Sequence, residues 1–118
     1  MVKPSTSGRS IAAVTTFNAA GYDEYGKRFL KGFDEHWPAD IILHIYIEDI
    51  MPEETSDRFT YHDLLLNIPE LAAFKARHKH SRTHNGFYEN GEYGYRMDAV
   101  RFAHKVFALS HCAHALKD

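Results

Sequence analysis

The chain has 118 residues, 44% hydrophobic and 25% charged, the balance of one globular domain without disordered tracts. Its 14 basic and 16 acidic side chains leave a net charge of -2 and no basic run able to follow a phosphate backbone, so nucleic acid is not expected as a partner. Apolar stretches are short and broken by charge, "MVKPSTSGRS" lacks the apolar segment of a secretory signal, and the single Cys112 cannot form an internal disulfide; a cytoplasmic protein without membrane insertion is expected.

Residues 1–10 read as a flexible leader before a single domain over residues 11–118. "IAAVTTFN" (residues 11–18) is a β-branched run with a polar end, the pattern of a buried strand. After a turn at "AAG", the residues Tyr22, Tyr25, Phe29, Leu30, Phe33 and Trp37 recur at helical spacing, with Asp23 and Glu24 in the first turn and Pro38 as the stop. "DIILHIYIED" (residues 40–49) is apolar on both parities apart from His44, as in a strand covered on both faces. Strand, helix and strand within this length predict a right-handed unit with parallel strands.

Residues 50–61 show proline and polar side chains without a period and read as a loop. "HDLLLN" and "IPELAAFKARHKH" are helical in composition, and Pro69 fits the first turn of a new helix. "SRTHNGFYENGEYGY" brings three of the seven glycines and predicts a long loop that moves or covers something. The last helix is expected over residues 97–116, with Phe102, Val106, Leu109, Ala113 and Leu116 as its packed stripe and Val100, Ala103 and Phe107 widening it. Within it Arg101 and Lys105 stand one turn apart, a like-charge pair that costs a few tenths of a kcal/mol unless an anion such as a diphosphate lies between them. The plainer alternative is that both side chains reach solvent and Arg101 pairs with Asp98.

"VTTFN", "GYDEYGKRFLKGFDEHWP", "LHIYIED" and "YRMDAVRFAHKVFAL", in that order and spacing, resemble the N-terminal half of bacterial and phage glycosyltransferase-like proteins with the nucleotide-diphospho-sugar transferase (GT-A) fold. The resemblance spans most of the chain from Ile11 to Leu116 and implies a sugar nucleotide as ligand. In that family a strand ending in an Asp-x-Asp motif follows the helix that "HKVFAL" resembles and holds Mn²⁺ or Mg²⁺. No Asp-x-Asp occurs in these residues, so the divalent metal of the full family fold is not expected to be bound by this chain.

Ligands of open parallel sheets bind beyond the carboxyl ends of the strands. At the first such end Thr16 and Asn18 offer hydrogen-bonding groups and Phe17 a flat surface for a base and ribose; at the second, Glu48 or Asp49 can accept from a ribose or a base N–H. By resemblance, Arg101 and Lys105 face the diphosphate. Ordinary turn chemistry explains Asn18 and Glu48 equally simply. His78, His80 and His84 cluster in sequence but straddle a helix end and a loop, His111 and His114 make only a pair, and His44 reads as a hydrogen-bonded core residue rather than a ligand. No nucleophile elbow and no glycine-rich phosphate loop follows the first strand.

The expected fold is α/β, a three-layer α/β/α arrangement on a short, incomplete parallel (Rossmann-like) sheet. The expected function is the nucleotide-sugar-binding portion of a glycosyltransferase, inactive alone because the metal-binding strand is missing. The alternative is a small non-enzymatic α/β module for binding or for self-association through exposed sheet edges.

Overall fold

In the computed structural model, which describes residues 11–116, the first β-branched run forms strand β1, Ala12–Asn18. The leader expected over residues 1–10 lies outside the described residues. Asn18 ends the strand and starts the helix: it keeps an extended backbone while its side-chain oxygen accepts the Gly21 N–H at 2.9 Å. The "AAG" expected as a turn is therefore already helical. It is α1 (Ala19–Gly21), which runs through a π-helical segment, Tyr22–Gly26, into α2 (Lys27–His36).

The wide π turn fits the side chains around it. Gly26 presses its bare backbone against Phe17, whose ring would lie 3.3 Å from any added Cβ. Leu30 and Phe33 carry the buried face of α2, and the residue before Pro38, Trp37, is extended and stops the helix, as expected.

Strand β2 is Ile42–Glu48 and a third strand, β3, is Phe59–Asp63. The sheet order is β1-β2-β3, with both pairings parallel. The short, incomplete parallel sheet of an α/β fold is thus present, and it has one strand more than the sequence pattern discloses. The loop expected over residues 50–61 and the helix expected from His62 give way to β3, because Phe59 and Tyr61 join Leu43 and Ile45 on one face of the sheet. Phe17, Ile47, Leu43 and Ile45 fill that face beneath Leu30, Phe33 and Tyr22, forming the core of this part of the chain. The opposite face carries Val14 beside His44 and Thr60, then Thr16 beside Tyr46 and His62, then Asn18 beside Glu48.

The irregular residues before β3 are held by two polar anchors. Arg58, 9% exposed, donates from Nη2 to the Pro38 carbonyl at 2.6 Å and from Nε to the Ile41 carbonyl at 3.2 Å, and its Nη1 reaches the Phe33 and Asp34 carbonyls at 3.4 Å. The Phe33 and Asp34 carbonyls belong to the last turn of α2, and the Phe33 carbonyl also accepts the Trp37 N–H at 3.0 Å. The Glu54 carboxylate accepts from the Tyr22 hydroxyl at 2.5 Å, while the Glu54 carbonyl accepts from the Tyr61 hydroxyl at 2.6 Å.

The described residues group into two compact units, one up to Asp63 and one from Leu64. The second holds α3 (Leu64–Asn67), α4 (Pro69–Arg77) and α5 (Ala99–Ala115), with Pro69 in the first turn of α4 as expected. The segment between α4 and α5, expected as a long loop, is closed on itself: Phe87 bridges Tyr93, the Tyr88 N–H donates to the Glu92 carbonyl at 2.8 Å, and the Gly94 N–H donates to the Gly86 carbonyl at 2.7 Å. Asp98 ties it to α5, accepting the Tyr93 hydroxyl at 2.7 Å and the Arg101 backbone N–H at 2.9 Å. No helix among the described residues is long and apolar enough to cross a membrane.

Helix α5 buries the Val100 and Ala103 side of the face expected to pack and leaves the main stripe exposed. Val100, Ala103, Ala108 and Cys112 are buried, whereas Phe102, Val106, Leu109, Ala113 and Leu116 are exposed. Small side chains let the helix approach its neighbours closely, and α4 is one of them, through Phe74 and Phe107 with ring centres 6.2 Å apart.

Candidate functional site

The carboxyl ends of β1 and β2 are the first place to look for a ligand, because the parallel pairing sets Asn18 directly beside Glu48. The sequence-predicted residues Thr16, Phe17, Asn18 and Glu48 come together here, but with different roles. Thr16 is half-buried on the sheet face opposite the helix, beside Tyr46. Phe17 does not offer the flat surface expected of it. It is 4% exposed, with its ring centre 5.8 Å from that of Tyr22 and edge-on to Tyr25 at 6.4 Å, because its parity points it into the core under the helix.

Asn18 is exposed and serves as the helix cap already described, an arrangement that uses its Oδ1 and not its Nδ2. Just past β2, Asp49 adopts a left-handed backbone, φ 58°, tolerated by aspartate more readily than by most residues. Its Oδ1 accepts the Ala19 N–H at 2.9 Å. Glu48 and Asp49 at the end of β2 and Asp63 at the end of β3 make this edge of the sheet rich in acceptors. Carboxylates there can accept from ribose hydroxyls or base N–H groups.

A polar layer that the sequence did not disclose lies on the same face as Thr16. His44 Nδ1 and His62 Nε2 share a hydrogen bond at 3.0 Å, and Tyr46 stacks on His62 with ring centres 4.4 Å apart and planes at 12°. His44 is hydrogen-bonded in the sheet, as expected, and burial lowers its pKa, favouring the neutral ring. One of the two facing nitrogens donates and the other accepts, so a single proton lies between the rings. The signal was present in "HIYIE", where His44, Tyr46 and Glu48 alternate with isoleucine at period two.

Arg101 and Lys105 belong to the second unit and are exposed on the first turns of α5. Asp98 meets the backbone N–H of Arg101 as the helix cap, and the Lys105 ammonium lies 5.7 Å from the Phe102 ring centre. In the same unit His78 and His84 stack with ring centres 4.2 Å apart, and His84 Nδ1 is 2.6 Å from the Ser81 hydroxyl. Among the described residues no three His, Cys, Asp or Glu side chains form a group that could hold a metal ion. Compared with known proteins, the chain matches no family model, no curated protein and no solved structure.

Proposed function

We propose that the chain is the nucleotide-sugar-binding portion of a glycosyltransferase, with the nucleoside at the carboxyl ends of β1 and β2. The observation that supports this reading is the strand order, three parallel strands in the succession β1-β2-β3 with Asn18 and Glu48 side by side at their carboxyl ends. In doubly wound sheets that succession runs outward from the point where strand order reverses, which is where nucleotides bind. Glu48 accepts from the ribose or base, and Thr16 and the Asn18 Nδ2 supply further hydrogen bonds; Arg101 and Lys105 of the second unit are the cations that the resemblance assigns to a diphosphate. The Phe17 ring takes no part.

Calorimetric titration with a nucleoside diphosphate and the matching nucleoside tests this assignment. Glu48→Gln should weaken both ligands alike, whereas Lys105→Ala should weaken only the diphosphate, by about 1–3 kcal/mol for a charged hydrogen bond. Equal losses for both ligands with Lys105→Ala would remove the cations from the reading, and unchanged nucleoside binding with Glu48→Gln would remove the strand ends. With no converging metal ligands among the described residues, sugar nucleotides incubated with the chain and Mn²⁺ should release no nucleotide diphosphate.

A further inference from the structure

Charge is unevenly placed along the chain. Residues 71–88 hold Lys75, Arg77, Lys79 and Arg82 with three histidines, and all 16 Asp and Glu residues lie outside them. In the second unit this run is wound into one closed turn after α4. His78 and His84 stack with ring centres 4.2 Å apart, Asn85 Nδ2 donates to the His78 and Ser81 carbonyls at 2.8 and 2.7 Å, and the Phe87 N–H donates to the Arg82 carbonyl at 2.9 Å. Aromatic rings steady the two guanidinium groups: Arg82 lies 4.4 Å from the Phe87 ring centre and Arg77 5.9 Å from that of Phe74. Like charges held together cost stability, and in the first unit cations are offset, Lys27 by Asp23 and Arg58 by Asp34. Among the described residues no ion pair holds Arg77, Lys79 or Arg82. Helix α5, packed against this turn, has no Asp or Glu, and the carboxylate of its cap, Asp98, is engaged by Tyr93 and the Arg101 N–H.

We infer that the turn carrying Arg77, Lys79 and Arg82 is a binding site for a compact phosphate-bearing anion, a short chain of linked phosphates, whose charge offsets that of the turn. Guanidinium forks meet phosphate oxygens two at a time, and Lys79 adds a point charge beside them. A polymer is a poorer fit. The run is too short to follow a phosphate backbone, and Glu70 on one side with Glu89 and Glu92 on the other repel a strand or an anionic membrane that extends past it. The site uses residues of the second unit alone and does not depend on what binds at the strand ends.

Calorimetric titration of the full chain with inorganic tripolyphosphate at low salt should give a dissociation constant of roughly 10 μM to 1 mM. Raising the salt from about 20 to about 200 mM should weaken it about tenfold or more, because the contacts are exposed. Arg77→Gln and Arg82→Gln should each weaken it about tenfold, the loss of one charged hydrogen bond, with circular dichroism unchanged because both side chains are exposed. Arg28→Gln makes the same change of net charge in the first unit and should stay within about twofold of wild type. No binding of tripolyphosphate at low salt overturns the inference, as does a loss with Arg28→Gln equal to that with Arg82→Gln. A single-stranded oligonucleotide that binds more tightly than tripolyphosphate at equal phosphate concentration also overturns it, in favour of a nucleic-acid surface.

Discussion

Arg58 offers the sharpest test of how the first unit is held together. Its guanidinium is nearly buried, and it gathers four backbone carbonyls, those of Phe33, Asp34, Pro38 and Ile41, into one fork. The Phe33 ring lies 4.5 Å below, and the Asp34 carboxylate is 3.9 Å away. Two of the four bonds are short enough to count fully, at about 1.5–3 kcal/mol each for a charged donor, and the other two add less. Against them stands the cost of desolvating the guanidinium, which a neutral substitute no longer bears. The half-exposed Asp34 pair adds under about 1 kcal/mol. The balance for Arg58→Met, which keeps bulk but donates nothing, is a loss of about 3 kcal/mol, a large part of the roughly 5–15 kcal/mol that holds a domain of this size. Arg58→Lys keeps the charge and loses the fork, and should cost about 2 kcal/mol. Urea unfolding followed by circular dichroism reads both, and the melting midpoint of Arg58→Met should fall by roughly 10–15 °C. A methionine variant within about 0.5 kcal/mol of wild type, inside the range of ordinary surface changes, would refute the clamp.

Asp98 caps α5 and anchors Tyr93, so Asp98→Ala should cost about 2 kcal/mol in urea unfolding while Tyr93→Phe costs about 1, and equal small losses would separate the loop from the helix. The Tyr61 hydroxyl is pushed up to about 12, by burial first and then by the charge of Glu54 and by Tyr22. Because the folded value is raised above the ordinary 10, its stabilising effect is complete below pH 10 and is lost as pH climbs towards 12. Urea midpoints measured across that window should fall less steeply for Tyr61→Phe than for wild type; parallel curves would show that Tyr61 does not govern the alkaline limb.

β1, the helix ending at Trp37, β2 and the start of α4 are legible in the sequence because each rests on a local device: a β-branched run, a helical period, or a proline that sets its neighbour's backbone. β3 is not legible. It has five residues, "FTYHD", of which only Phe59 and Tyr61 bury apolar surface, and its place is set by β2 and by the distant carbonyls that Arg58 finds. Missing β3 also hides the partner of His44, since His62 becomes its neighbour only through the sheet. At the candidate site, Asn18 and Glu48 are found from their places at strand ends, but the burial of Phe17 follows from parity, which a short β-branched run read only as a buried strand does not express. For α5, hydrophobicity puts the weight on the large residues of one stripe, whereas close packing centres on Val100, Ala103, Ala108 and Cys112, of which Ala108 carries no signal in the sequence.

The cap shared by Asn18 and Asp49 changes what the first helix can attract. A helix start beyond a parallel strand ordinarily presents bare amides and a partial positive charge, a ready seat for phosphate. Here the Ala19 and Gly21 amides are engaged by the chain's own oxygens, one of them a full carboxylate. The protein carries its anion as a resident. A phosphate approaching this point competes with a tethered rival that never diffuses away, while a ligand bringing hydroxyl or amide donors meets the carboxylates at the end of β2. The end of the sheet thereby discriminates by polarity, disfavouring anions and favouring groups that donate hydrogen bonds.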